Sequence, residues 1–194
     1  KDAGINEFDP QILPKTQLSK LNVSDHEWFQ SGMRTTASHE YAVQDVVDSP
    51  LERTKDRSLI YVGGVRRGGA REGEAIGVLG IMFDWDTEAQ TILRTCLPSD
   101  REGLPIAGAA AFYTNKLGQI IETTDAQRFP VGLFPPLPSS HQTLGKGERI
   151  SGLLQHDGMR YLIGSSRTQG YREYEGLGWC AHIVRPVDAL SPPS

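Results

Sequence analysis

Seven side chains in the first half of the sequence have the chemistry to hold a small polar molecule: His26, Trp28, Phe29, Tyr41, Asp45, Tyr61 and Asp84. The four aromatic rings supply flat apolar walls, and His26 and Asp45 supply polar anchors that fix orientation. Asp84 ends a very apolar run beside Trp85 and Asp86. Its carboxylate suits a ligand ammonium or amide, and it equally suits capping the helix that follows. The alternative for the first cluster is structural, with Trp28 and Phe29 on the core face of a helix and His26 beside its cap.

Other chemistries find little support. Arg66, Arg67 and Arg71, with Gly68 and Gly69, form a basic turn able to cradle an anion, although a solvated hairpin tip explains the same residues. His39, His141, His156 and His182 are scattered, with no HExxH spacing. Ser139-Ser140-His141 has neither a G-x-S-x-G elbow nor an acidic partner, and the GGVRRGG stretch lacks the Lys-Ser/Thr ending of a phosphate loop. The two cysteines, Cys96 and Cys180, have no ligand spacing. They read as buried thiols, with one disulfide as the alternative. The sequence therefore gives no catalytic residue, metal site or cofactor.

Those side chains must be positioned by elements that the sequence also announces. The chain has 194 residues with 38% hydrophobic and 23% charged, the balance of an ordinary globular protein. A net charge of −4 does not attract phosphate backbones, so nucleic acid is not an expected partner. No apolar run reaches the roughly 18 residues of a membrane span. The chain opens on Lys1-Asp2-Ala3-Gly4 and reads as a fragment or mature region, with any membrane anchors of the parent outside it.

Residues 1–20 are polar and read as an irregular lead-in. Ser24 or Asp25 can cap a short helix whose buried side is Trp28, Phe29 and Met33. YAVQDVV (41–47) and SLIYVGGV (58–65) are β-branched and aromatic, hence strands. IGVLGIMFDW (76–85) is continuously apolar and predicts a strand buried on both faces. DTEAQTILRTCL (86–97) has helical spacing at Ala89, Ile92, Leu93 and Leu97, with Asp86 or Thr87 as its cap. After the connector 98–105, GAAAFYTN and QIIETTD read as paired strands. A Pro-rich loop follows, with one helical turn near His141–Leu144. The next hairpin turns at His156-Asp157-Gly158, and WCAHIVRPV closes the array. The stretch TQGYREYEGLGW (168–179) joins the last two strands. Gly170, Gly176 and Gly178 supply positive φ, and Tyr171, Tyr174 and Trp179 lie over the sheet end. The portions expected are 21–98 and 105–190.

In order along the chain, these motifs resemble the Cache-type sensory domains of bacterial chemoreceptors and sensor kinases. The resemblance rests on GYREYEGLGW before a hydrophobic strand and RPV, on AFYTNKLGQIIETTD, and on HEWFQSGM followed by EAIGVLGIMFDWDTEAQTIL. It covers roughly residues 21–190. It implies an α+β fold: PAS-like antiparallel sheets flanked by helices, with two PAS-like modules in tandem. It also implies a non-catalytic, extracytoplasmic sensor that binds a small-molecule ligand, in a parent that is membrane-anchored and a homodimer. Amino-acid-binding members place an arginine two residues before the tryptophan. Here that position is His26, which cannot make the bidentate carboxylate grip of a guanidinium, while Trp28, Tyr41 and Asp84 fall at the matching positions. A cytoplasmic GAF-like or PAS-like regulatory domain shares the same grammar and is the alternative.

Overall fold

The computed structural model describes residues 22–48, 57–170 and 174–187. The lead-in expected over 1–20 and the lid role of Tyr171 lie outside those residues. The elements run α1 (Glu27–Met33), β1 (Ala42–Asp48), β2 (Arg57–Arg66), β3 (Ala75–Asp84), α2 (Trp85–Thr95), β4 (Ala110–Thr114), β5 (Ile120–Thr123), α3 (Ser139–Gln142), β6 (Arg149–His156), β7 (Met159–Arg167) and β8 (Cys180–Pro186). They form an α+β fold with two antiparallel sheets. One has the order β1-β2-β3 and the other the order β5-β4-β8-β7-β6. The chain divides into two compact units, Lys1–Ala42 with Val62–Gly80 and Val43–Tyr61 with Ile81–Ser194.

In the first unit, α1 starts later than its expected caps. His26 is the N-cap in extended conformation and makes no side-chain cap bond. Ser24 and Asp25 instead bond each other in the preceding turn. Trp28 and Gly32 are the buried face, while Phe29 and Met33 are only half-buried. Gly32 is required by close approach, because a Cβ there would lie 2.5 Å from Val62 and 2.7 Å from Val78. The basic turn is not simply solvated. Arg66 is buried, and its guanidinium donates to the carbonyls of Gly73, Gly64 and Thr35.

The strand β3 corrects an expectation. It is an edge strand, and Ile76, Leu79, Ile81 and Phe83 are exposed rather than buried on two faces. Continuous apolar character marks double burial only where both faces are covered.

The second unit holds the larger core. Phe112, Ile120, Phe129, Leu154, Tyr161, Ile163 and Val184 pack together, and Phe112 stacks on Phe129 at 5.0 Å. A second cluster joins Trp85, Ala89 and Ile121, with Val46, Tyr113 and Trp179 against it. Asp84 caps α2 by accepting from the Thr87 amide, so neither Asp86 nor Thr87 is the cap. Asp86 binds Arg57 instead, through the Arg57 amide at 3.0 Å and Nε at 2.8 Å. Arg57 also meets the buried Glu122 and donates to the Ile121 carbonyl. Along α2, Ala89 and Leu93 are buried as their spacing predicts, while Ile92 is exposed.

The β6–β7 hairpin turns where Asp-Gly permits it, with Asp157 at φ 48° and Gly158 at φ 72°. The helical turn of the Pro-rich loop lies two residues before its expected place, because Pro138 starts it. Both cysteines are free. Cys96 is exposed, against the expectation of a buried thiol, and Cys180 is half-buried.

Candidate functional site

A cavity of about 260 Å³ opens in the second unit. Its walls come from three separated stretches: Thr114–Gly118 at the end of β4 and in the turn after it, the segment from Phe134 to Leu144, and the ends of the β7–β8 connection at Arg167, Gly178 and Cys180. Each wall has a local reason for its shape. Asn115 Oδ1 accepts from the amides of Leu117 and Gln119, and Gly118 closes that turn at φ 83°. The Pro-rich loop is tied to β5, since Ile120 donates to the Leu133 carbonyl and Gly132 donates back to Ile120. The Thr168 amide donates to the Trp179 carbonyl and draws the two ends of the connection together. Gly178 has φ 77°, and a Cβ there would stand 3.3 Å from that of Lys116. The glycine-aromatic stretch therefore shapes one wall of the cavity at Gly178 and delivers Trp179 to the core.

Behind the wall runs a chain of buried polar groups. Nδ1 of His141, which lines the cavity, is 2.7 Å from Ser165 Oγ. Ser165 Oγ is 2.7 Å from His182 Nδ1, and His182 Nε2 is 3.0 Å from Thr114 Oγ1. A neutral imidazole donates at one nitrogen and accepts at the other, and each hydroxyl does the same. The whole chain is thus satisfied with no charge on it. Burial, and then the neighbouring His141, push His182 down to about 3, and burial also lowers His141. Burial pushes the Cys180 thiol up, against the opposing pull of Arg167.

The charges lining the cavity have one sign. Lys116 and Arg167 are cations, and no Asp or Glu is among the described lining residues. Arg167 Nη1 donates to the Leu144 carbonyl at 2.7 Å, while its Nε is buried without a hydrogen-bond partner among the described residues.

The seven residues singled out from sequence do not line this cavity. In the first unit, the His26 and Phe29 rings lie 6.3 Å and 5.9 Å from the Trp28 ring. Trp28 is buried near Gly80, with its Nε1 unpartnered among the described residues, and Tyr41 is about half exposed. In the second unit, Asp45 accepts from Trp179 Nε1 at 3.0 Å, Tyr61 is half-buried, and Asp84 is the exposed cap of α2. The structure therefore gathers His26, Trp28 and Phe29, and it gives Asp45 and Asp84 structural partners. Sequence reasoning missed Thr114, Lys116, His141 and Arg167. The signal for them was the array of strands that brings their three stretches together.

The β5-β4-β8-β7-β6 order is the observation that comparison with solved structures extends. The ligand-binding domain of the Pseudomonas aeruginosa amino-acid chemoreceptor PctB, in complex with L-Arg, superimposes with a TM-score of 0.56 at 17% identity, over 94% of this chain and 67% of that one. The ligand-binding domain of the Campylobacter jejuni chemoreceptor Tlp3, in complex with 4-methylisoleucine, matches with a TM-score of 0.53 at 16% identity, over 90% of this chain and 57% of that one. The extracellular domain of the putative histidine kinase rpHK1S-Z16 gives 0.52 at 13% identity, over 89% and 64%. This chain has the fold of Cache-type, PAS-like sensory domains. It spans little more than half the length of the Tlp3 domain. No family model matches the sequence, and no curated protein does. Among the described residues of this Cache-like chain, no helix is long and apolar enough to cross a membrane.

Proposed function

We propose that the chain is the ligand-binding sensory region of a bacterial signal-transduction protein, of chemoreceptor or sensor-kinase type, and that it binds a small polar metabolite without catalysis. The cavity against the five-stranded sheet carries this reading. It combines apolar walls at Leu117, Phe134 and Leu137 with polar groups from Thr114, Lys116, His141 and Arg167, the composition of a small-molecule site. Solved structures of the same fold support it, being complexes with 4-methylisoleucine, L-Arg and GABA.

An extracytoplasmic position and a homodimeric, membrane-anchored parent belong to the same proposal. The extracytoplasmic position is supported by the histidine kinase domain of the same fold, which is an extracellular domain. Binding would favour one of two conformations, and the affinity difference between them would set the signal. His26, Trp28, Phe29, Tyr41, Asp45, Tyr61 and Asp84 remain proposed as a second set of contacts, of which the ring cluster at Trp28 is the best formed.

A thermal-shift screen against amino acids, carboxylates, amines, purines and cyclic nucleotides tests the reading, because a ligand of the native state raises the melting temperature. A reproducible rise with one class supports the sensor. No rise with any class overturns it in favour of a ligand-free regulatory domain of GAF-like or PAS-like type.

A further inference from the structure

We infer that the cavity of the second unit selects small carboxylate anions that carry no ammonium group. The inference rests on the sensor reading and narrows its ligand class.

Two side chains decide the sign. Lys116 and Arg167 both line the cavity, and neither has a carboxylate partner among the described residues. In the adjoining cleft, which Lys116 and Arg167 also line, Lys146 meets Glu175 at 3.2 Å. Arg167 has Nη1 committed to the Leu144 carbonyl, and its guanidinium is the second positive charge of the lining. A carboxylate is the group that two lining cations without carboxylate partners among the described residues attract, through charge-assisted hydrogen bonds.

The remaining lining groups add no negative charge. Burial keeps His141 and the Cys180 thiol in their neutral forms near neutral pH. Thr114, Asn115 and Gln142 offer neutral hydrogen bonds. An α-amino acid brings an ammonium as well as a carboxylate, and that ammonium would meet two cations and no carboxylate among the described lining residues. Selectivity then comes from repulsion as much as from attraction.

Size sets the other limit. At about 260 Å³ the cavity lies at the small end of small-molecule sites. That suits a mono- or dicarboxylate of a few carbons.

Isothermal titration with matched pairs tests the inference: propionate against L-alanine, and succinate against L-aspartate. Each pair shares a carbon skeleton and differs in the amine. The expected result is binding of at least one unaminated acid, with its aminated partner at least about tenfold weaker. Added salt should weaken that binding, since the Lys116 end of the cavity is open to screening. Lys116→Gln should cost the bound acid about tenfold or more, the order of one charge-assisted contact. Lys116 is exposed, so the variant should melt with the wild type. Arg167→Lys, which keeps the charge and loses the fork, is the second variant and should weaken binding as well.

Tighter binding of the aminated partner overturns the inference, as does undiminished binding to Lys116→Gln. Silence from all four acids overturns it too. In each case the sensor reading stands or falls separately, on whether amines, purines or other amino acids raise the melting temperature.

Discussion

Ser165 Oγ lies 2.7 Å from Nδ1 of His182 in the interior of the five-stranded sheet, and among the described residues their other side-chain partners are His141 and Thr114. The pair makes stability depend on pH in a defined direction. His182 is pushed down to about 3, so the folded state keeps it neutral while an unfolded histidine takes a proton near 6.5. A depressed folded value means the contribution is fully present above about pH 6.5 and is lost as pH falls toward 3. Between pH 6.5 and 5, one such histidine should remove about 1–2 kcal/mol, and His141, shifted the same way, adds to it. The shifted carboxylates, Glu40 and Asp125, are lowered from values already below this window and do not interfere. Urea unfolding at stepped pH should show the decline, and His182→Gln should flatten it. A level wild-type profile across the window would rule the account out.

The same network shows what a sequence can and cannot say. The strands holding Ser165 and His182 were legible, because YLIGSSRT and WCAHIV are short apolar runs with aromatic or β-branched residues, bounded by an Asp-Gly turn and a glycine-rich connection. Their meeting was not, since the β4-β8-β7 pairing unites Thr114, Ser165 and His182, and His141 reaches them from α3 in the Pro-rich loop. The cavity was hidden for the same reason. Its cations, Lys116 and Arg167, have unremarkable neighbours in sequence. Arg66 misled in the opposite way: three arginines near two glycines read as a solvated tip, but backbone carbonyls, which have no sequence signature, take up its guanidinium. At β3 the apolar run was read correctly as a strand. Its burial was misjudged because coverage of a sheet face is a property of the other elements.

Arg57 should be among the most sensitive positions in the second unit. It is held to Asp86 by Nε and its backbone amide, and it neutralises Glu122, whose side chain is only 6% exposed. Removing one partner of a buried pair leaves the other charge uncompensated, at a cost of about 3–5 kcal/mol. Arg57→Ala should therefore lose that amount in denaturant unfolding. Arg57→Ala combined with Glu122→Gln should recover part of it. If the double variant is no more stable than the single one, Glu122 is not what Arg57 serves.

Gly170 tests whether the glycine-aromatic connection is a built element. It sits at φ 82°, and a Cβ there would collide with the backbone carbonyl oxygen of Tyr174. Strain at positive φ costs about 1 kcal/mol or more, and a backbone clash cannot be relieved by rotating a side chain. Gly170→Ala should lower the melting temperature by several degrees. Gly73→Ala, also at positive φ but with open space around it, should cost less. Equal losses would mean that φ alone matters and that the closure against Tyr174 does not.

Asp84 distinguishes a helix cap from a ligand anchor. Its carboxylate accepts from the Thr87 amide at 3.2 Å, and the residue is exposed. Asparagine caps a helix about as well as aspartate, whereas alanine costs roughly 1 kcal/mol. If Asp84 is only a cap, Asp84→Asn should unfold with the wild type and Asp84→Ala should be about 1 kcal/mol less stable, with ligand response unchanged in both. If the carboxylate instead grips a ligand, Asp84→Asn should keep its stability and lose the melting-temperature rise that identifies that ligand in the screen. The asparagine variant carries the decision, because it preserves the hydrogen bond to Thr87 while deleting the charge.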